Sequence, residues 1–357
     1  AFKVFLSRYY PTYIKKPSYR VSNQDFSFNI NTKQVDEYIR LLDSRLSGFN
    51  DASISGNLNL AAYDLKVNAQ VPLFSYDGKT FSNIRLTGNG NRDTLKADIA
   101  ADDIQISDSL HFPATNLKLT ANNDVSEIQL KTSAGKTLND AEINASVQTL
   151  ADGVKLHFFP SSFIINDKKW LLAKDGELTI RKNYLDANEV KFVHDDQQIA
   201  LSTELDDVTD QTHIVAKLTK VDLEDFAPLV FKKPSVKGLL TGTANIRDPF
   251  GKVIIDFTGR ADSFSLDKEY VGNVDLTASA NTNTGQVTFK AGVNDSSNTF
   301  AIDGSYNYKD SSENQMNVDL VAKRIHLKIL EPYLGTIFSR MDGYAATDLK
   351  LSGGPDH

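Results

Sequence analysis

The stretch "LKVNAQV", Leu65 to Val71, alternates apolar and polar side chains without a fault. Successive side chains of a strand point to opposite faces, so this segment reads as a strand with one oily side and one wet side. The same period of two recurs in "LKADIAA" (Leu95 to Ala101), "AEINASVQ" (Ala141 to Gln148), "NVDLTASA" (Asn273 to Ala280), "QVTFKAGV" (Gln286 to Val293) and "FAIDGSYNY" (Phe300 to Tyr308). Turn signals lie between such runs: "YDGK" (Tyr76 to Lys79), "NGN" (Asn89 to Asn91), "NND" (Asn122 to Asp124) and "DPFGK" (Asp248 to Lys252). Gly tolerates positive φ and Pro presets a turn angle, so each of these reverses the chain. Strands thus recur every 8–12 residues or so, the spacing of an all-β protein. Parallel strands would need helical crossovers, which are missing, so the sheet is expected to be mostly antiparallel.

Three segments depart from this rhythm. "VDEYIRLLDSRL" places Val35, Tyr38, Ile39, Leu42 and Leu46 at helical spacing on one side. "VDLEDFAPLVFKKP" (Val221 to Pro234) pairs Leu223 with Phe226 and carries Pro228, which keeps a helix short. "LKILEPYLGTIF" (Leu327 to Phe338) pairs Leu327 with Leu330. Short helices are expected near 35–46, 221–230 and 327–338. Each follows a strand and leads to a Gly-bearing strand near Gly56, Gly238 or Gly343. That is a loose internal repeat, with units at about 26–213, 214–317 and a truncated 318–357 within one continuous β segment. The last unit stops after one strand, so a piece of a longer protein is expected.

Composition narrows the function. The chain has 357 residues, a formal net charge of −7 and no cysteine. Disulfides hold nothing together, and the acidic balance argues against nucleic acid as a partner. The first twenty residues carry Lys3, Arg8, Lys15, Lys16 and Arg20 without an acid, which reads as a solvated basic end or, less simply, a membrane-surface contact. No apolar run approaches the ~20 residues that cross a bilayer, and "AFKVFLSRYY" is too short and polar for a signal peptide.

Catalytic and metal signatures are weak. Asp206, Asp207, Asp210 and His213 have metal-ligand chemistry, as does "HDDQQ" at His194, but both lie where solvated hairpin loops are expected. "ADDIQISD" (Ala101 to Asp108) reads as an exposed edge and turn, and "GNGNRD" at Gly88 has no helix after it to hold a phosphate. There is no Gly-x-Ser-x-Gly and no cysteine nucleophile. Trp170 reads as a strand anchor ahead of a sugar platform, and "KKPS" at Lys232 as a solvated loop ahead of a headgroup contact. A non-enzymatic protein without cofactor or metal is expected.

"VDLEDFAPLVFKKPSVKGLLTGTANIRDP" and "IHLKILEPYLGTIFSRMDGYAATDLKLSGGP" resemble the AsmA/TamB-like family. The shared form is a strand, a short proline-bearing helix, then Gly-spaced entry into the next strands. The segment Phe158 to Thr203 is similar to TamB-type chains of Bacteroidetes. The resemblance covers residues 155 to 357 best and rests on Gly and Leu spacing. It implies a long periplasmic protein of a diderm bacterium, anchored in the inner membrane by a segment absent from this sequence. Its twisted sheet would curve into an open hydrophobic groove that conducts phospholipid acyl chains toward the outer membrane, with a BamA-type outer-membrane barrel as a possible partner of regions outside this sequence. A role in outer-membrane protein assembly is also implied.

Alternation is compatible with that fold, because it leaves one apolar face to be hidden. A two-chain lipid of about thirty methylenes, at ~0.8 kcal/mol each, would cost on the order of 20 kcal/mol exposed to water, so a conduit needs an unbroken apolar path. The inward members of the clean strands are the expected lining: Leu65, Val67, Ile99, Ile143, Val147, Leu276, Val287, Phe289 and Ile302. Two rivals share the pattern. One is a β-sandwich adhesin or carbohydrate-binding module with closed cores and exposed aromatics such as Tyr306 and Tyr308. The other is a scaffold that templates incoming strands on a sheet edge.

Overall fold

The computed structural model describes residues 1–18, 22–106, 111–133, 138–173, 175–182, 184–205, 212–230, 234–249, 251–310, 315–331 and 340–353. Among the described residues it is all-β, with 24 strands and a few short helices, and its sheet is open rather than closed on itself. The chain divides into two compact units, Ala1–Lys182 and Asn183–His357, a boundary that falls inside the first repeat read from the sequence.

The first unit begins with α1 (Phe2–Leu6), β1 (Asp25–Asn31), α2 (Asp36–Leu42), β2 (Leu46–Gly48) and β3 (Ser53–Asn59). Then come β4 (Asp64–Tyr76), β5 (Lys79–Gly90), β6 (Leu95–Gln105), β7 (His111–Asn122), β8 (Val125–Ser133) and β9 (Leu138–Thr149). Four short strands follow: β10 (Gly153–Phe158), β11 (Ser161–Ile165), β12 (Lys168–Leu172) and β13 (Glu177–Arg181). From β3 to β9 each strand pairs antiparallel with its sequence neighbour, and β1 joins the edge at β3. β9 then divides its length between β10 and β11.

The second unit holds β14 (Tyr184–Asn188), β15 (Val190–His194), β16 (Gln197–Leu205), β17 (Thr212–Asp222), α3 (Leu223–Val230) and β18 (Val236–Arg247). It continues with β19 (Ile254–Leu266), β20 (Glu269–Asn281), β21 (Gln286–Asn294), β22 (Thr299–Asn307), β23 (Met316–His326) and β24 (Tyr344–Gly353). From β15 to β24 every neighbour pair is antiparallel.

Turn chemistry sets the register. Tyr76 faces Lys79 across Asp77 (φ 51°) and Gly78 (φ 76°), a two-residue turn whose positive φ values match the twist of the strands. Asn123 and Asp124 (φ 45° and 65°) do the same between Asn122 and Val125, and Asp267 and Lys268 (φ 47° and 75°) between Leu266 and Glu269. Register then decides which side chains share a face.

Two of the helices are shorter than their sequence patterns. α2 covers Asp36–Leu42 rather than 35–46, and Leu46 starts a strand. Val35 and Ile39 are half-buried, whereas Tyr38, Leu41 and Leu42 stand 70%, 83% and 81% exposed, so the apolar positions do not form one packed stripe. α3 covers Leu223–Val230 with Pro228 inside. Of the third, the described residues show a 3-10 turn, Leu327–Ile329, and the span from 332 to 338 lies outside the described residues.

Candidate functional site

The registers of the second unit place one side chain from each of β15 to β24 in a row: Phe192, Ile199, Leu218, Gly242, Gly259, Leu276, Ala291, Ile302, Leu320 and Leu349. A parallel row runs through Phe257, Ala278, Phe289, Gly304, Val318 and Leu351, and a third through Ile255, Ala280, Val287, Tyr306 and Met316. Every member is apolar or glycine except for the Tyr306 hydroxyl. The intervening rows on the other face are mostly polar; one reads Thr243, Thr258, Thr277, Lys290, Asp303, Asp319 and Lys350. On that face Lys290 pairs with Asp303 at 2.8 Å and Lys350 with Asp319 at 3.3 Å, both in solvent.

One end of the apolar face is sealed. Val274, Val293, Phe300, Leu320, Ala322 and Ile325 are buried there with Ile329 of the 3-10 turn, and Leu223 of α3 packs against them. Asn298, 1% exposed, pins this end by donating to the Val271 carbonyl (2.8 Å) and accepting from the His326 backbone (2.8 Å). Away from it, Phe257, Ala278, Val287, Phe289, Val318 and Leu351 are only half-buried. In this unit the short helical elements, through Leu223 and Ile329, therefore cap apolar surface at a sheet end.

The first unit repeats the arrangement. One row runs through Phe28, Gly56, Val67, Gly88, Ala97, Leu119, Ile128 and Ala145. The next runs through Ile54, Ala69, Leu86, Ile99, Leu117, Leu130 and Ile143. Here the cap is the N-terminal segment. Phe5 and Tyr9 of this segment are fully buried against Leu58, Leu65 and Ala121. Tyr9 donates to the Asn91 carbonyl, and Tyr10 meets Ser126 Oγ at 2.9 Å. The Thr12 backbone N–H and hydroxyl donate to the Asp124 carboxylate at 3.0 and 2.7 Å. Burial pushes the Tyr9 phenol up to about 12. The N-terminal segment is thus docked as a strap, while its basic side chains Lys3, Arg8, Lys15 and Lys16 are exposed, as a solvated basic end requires; Arg20 lies outside the described residues.

All nine residues read from the sequence as the lining fall on these apolar faces. Leu65, Val67, Ile99, Ile143 and Val147 share one face of the first unit, and Leu276, Val287, Phe289 and Ile302 one face of the second. They are not equivalent. Leu65 is buried under the strap, whereas the other eight are half-buried. Bulges keep the faces intact where sequence parity fails. Leu218 and Val221 share a side because Lys220 (φ 48°) is the extra residue, and Ala261 and Phe264 do so across Ser263 (φ 51°).

Two features escaped the sequence reading. The strap is one: Phe2, Phe5, Leu6 and Tyr9 have the i, i+3, i+4, i+7 spacing of a helix, and that signal was legible. The other is a set of aromatic rings laid on glycines. A Cβ on Gly56 would meet the Phe28 ring at 2.8 Å, and one on Gly90 would meet Phe5 at 2.7 Å. Phe257 lies over Gly242 and Gly259, and Phe289 over Gly304.

The remaining candidates resolve simply. Trp170 is fully buried and stacks on Phe163 with centroids 6.0 Å apart, so it anchors strands and offers no sugar platform. Asp102 is an exposed partner of Arg85 (2.6 Å), whose hydrogen bond holds the carboxyl below its usual range. Residues 206–211, 231–233 and 107–110 lie outside the described residues, which removes Asp206, Asp207, Asp210 and Lys232 from view. Among the described residues no three His, Asp or Glu side chains gather as a metal site, and no helix is long and apolar enough to cross a membrane, which leaves strands out of account. No family model, curated protein or solved structure matches the chain.

Proposed function

We propose that the apolar faces bind and conduct the acyl chains of phospholipids, in a protein that carries lipid across the periplasm of a diderm bacterium. The observation that carries this reading is the unbroken apolar row from Phe192 to Leu349 with its two half-exposed companion rows. A peptide or sugar would be bound through hydrogen-bonding groups, and these rows offer almost none. A hydrocarbon needs only continuity of apolar contact. In a β-sandwich the same rows would be dry, pressed against a second sheet; their half-exposure within the unit supports the groove. The resemblance to AsmA/TamB-like proteins points the same way, and with it come the proposals of an inner-membrane anchor and an outer-membrane barrel partner beyond this sequence.

The test is extraction of the purified chain followed by mass spectrometry of bound lipid, with benzoylphenylalanine placed at Val287 or at its neighbour Thr288. Co-purified phospholipid that crosslinks at 287 and not at 288 supports the conduit. No bound lipid, or equal crosslinking from the two faces, overturns it.

A further inference from the structure

The rings of Phe257 and Phe289 determine how much room lies above the second unit's apolar face. A Cβ on Gly304 would lie 2.8 Å from both Cε atoms of Phe289, and a Cβ on Gly242 or on Gly259 would lie 2.7 Å from Cζ of Phe257. No real Cβ is tolerated at such distances. Each ring therefore lies down across the backbone of a neighbouring strand instead of standing off the sheet. Phe289 and Phe257 occupy one row, with only Ala278 between them. Were both upright, two bulky side chains would obstruct the row that the half-exposed residues Val318 and Leu351 continue.

We infer that Gly304 is a positioning residue for lipid passage: by leaving space for the Phe289 ring it keeps the floor of the groove low enough for an acyl chain, and Gly242 and Gly259 do the same for Phe257. This rests on the lipid reading. A methyl group at Gly304 takes the seat of the ring, and the backbone beneath leaves the ring only the outward direction. The ring is then a step in the floor.

The experiment incubates the full chain with phosphatidylethanolamine–phosphatidylglycerol vesicles carrying a trace of phospholipid with a diazirine in its acyl chain. Photo-crosslinks are mapped by mass spectrometry across β18 to β24. Gly304→Ala is expected to lower the yield roughly tenfold, the weight of about two methylenes lifted off the surface. Phe289→Ala in the Gly304→Ala background is expected to raise it back to the level of Phe289→Ala alone, because no ring remains to be raised. Simple loss of packing would instead make the double variant worse than either single one. Phe289→Ala alone removes one ring of the lining and is expected to lower the yield less than Gly304→Ala does. If Gly304→Ala does not fold, the crosslinks of the unaltered chain decide, since an acyl chain passing over a low ring labels both Ala278 and Val318, which flank Phe289 and Gly304 in the row. An unaltered chain that captures no lipid removes the lipid reading and this inference together. Capture by the unaltered chain overturns the inference alone if Gly304→Ala leaves it unchanged, if the double variant falls below Phe289→Ala, or if the unaltered chain is labelled on only one side of Phe289.

Discussion

The Phe5 ring fills the space a side chain on Gly90 would need: a Cβ there would lie 2.7 Å from Cε1 and 2.8 Å from Cζ. Glycine at the end of β5 is thus what lets the N-terminal strap reach the sheet. Gly90→Ala forces the ring or the strand to shift, an overpacking cost of about 1–3 kcal/mol. Amide hydrogen exchange is expected to accelerate in residues 2–9 and to stay unchanged in the second unit. Uniform acceleration, or none, would show that Phe5 does not depend on this seat.

The strap also has a pH limit. The buried Tyr9 phenol ionises near 12, against 10 for an unburied one. Below pH 10 the phenol is neutral whether docked or released, and docking keeps its full strength. As pH climbs from about 10 to about 12, the released form gains by ionising and the strap loosens. Exchange in residues 2–9, taken relative to the intrinsic base-catalysed rate, is expected to rise across that window, and Tyr9→Phe is expected to flatten the rise. An unchanged rise in Tyr9→Phe would place the effect elsewhere.

The sealed and open parts of the second unit's apolar face differ in what a deletion costs. Leu320, 4% exposed within the capped cluster, is expected to lose about 2–5 kcal/mol as Leu320→Ala. Leu351, half-buried on β24, is expected to lose well under half of that. Urea unfolding of the two variants decides the matter. Equal losses would mean that Leu351 is covered as thoroughly as Leu320.

Beside α2, Arg45 donates to Asp43 from Nε (3.0 Å), from its second guanidinium nitrogen (2.7 Å) and from its backbone N–H (3.0 Å). These bonds lower the Asp43 carboxyl to about 2. Their contribution is present above the ordinary carboxylate range and is lost as pH falls through about 2. NMR titration is expected to show Asp43 returning toward its usual range in Arg45→Ala. An unmoved carboxyl would mean that the guanidinium is not its main partner.

Much of the molecule was legible because a period of two is hard to mistake. "QVTFKAGV" became β21 with Val287, Phe289, Ala291 and Val293 on one face, and "YDGK" became a turn with Tyr76 facing Lys79. What stayed hidden has a physical cause in each case. Parity fails at Leu218/Val221 and Ala261/Phe264 because a bulge inserts a residue that only the partner strand reveals. The ring seats on Gly56, Gly90 and Gly304 depend on cross-strand register, which is set by turns far along the chain. Leu65 reads like any inward residue of a clean strand, and nothing near it announces that residues 1–14 will cover it. α2 carries apolar residues at helical spacing, yet Tyr38, Leu41 and Leu42 face water, since spacing states which residues could pack and not whether a neighbour arrives.

The order of the strands bears on how the chain acquires its structure. From β15 to β24 each hairpin partner is the next segment to be synthesised, so no pairing must wait for a distant part of the polypeptide. Loop-closure entropy is met in small instalments, and assembly can begin at any turn and spread outward, as in solenoid arrays. Damage is correspondingly local: a lesion in one hairpin is expected to fray its immediate neighbours and leave remote ones folded, giving gradual rather than all-or-none denaturation.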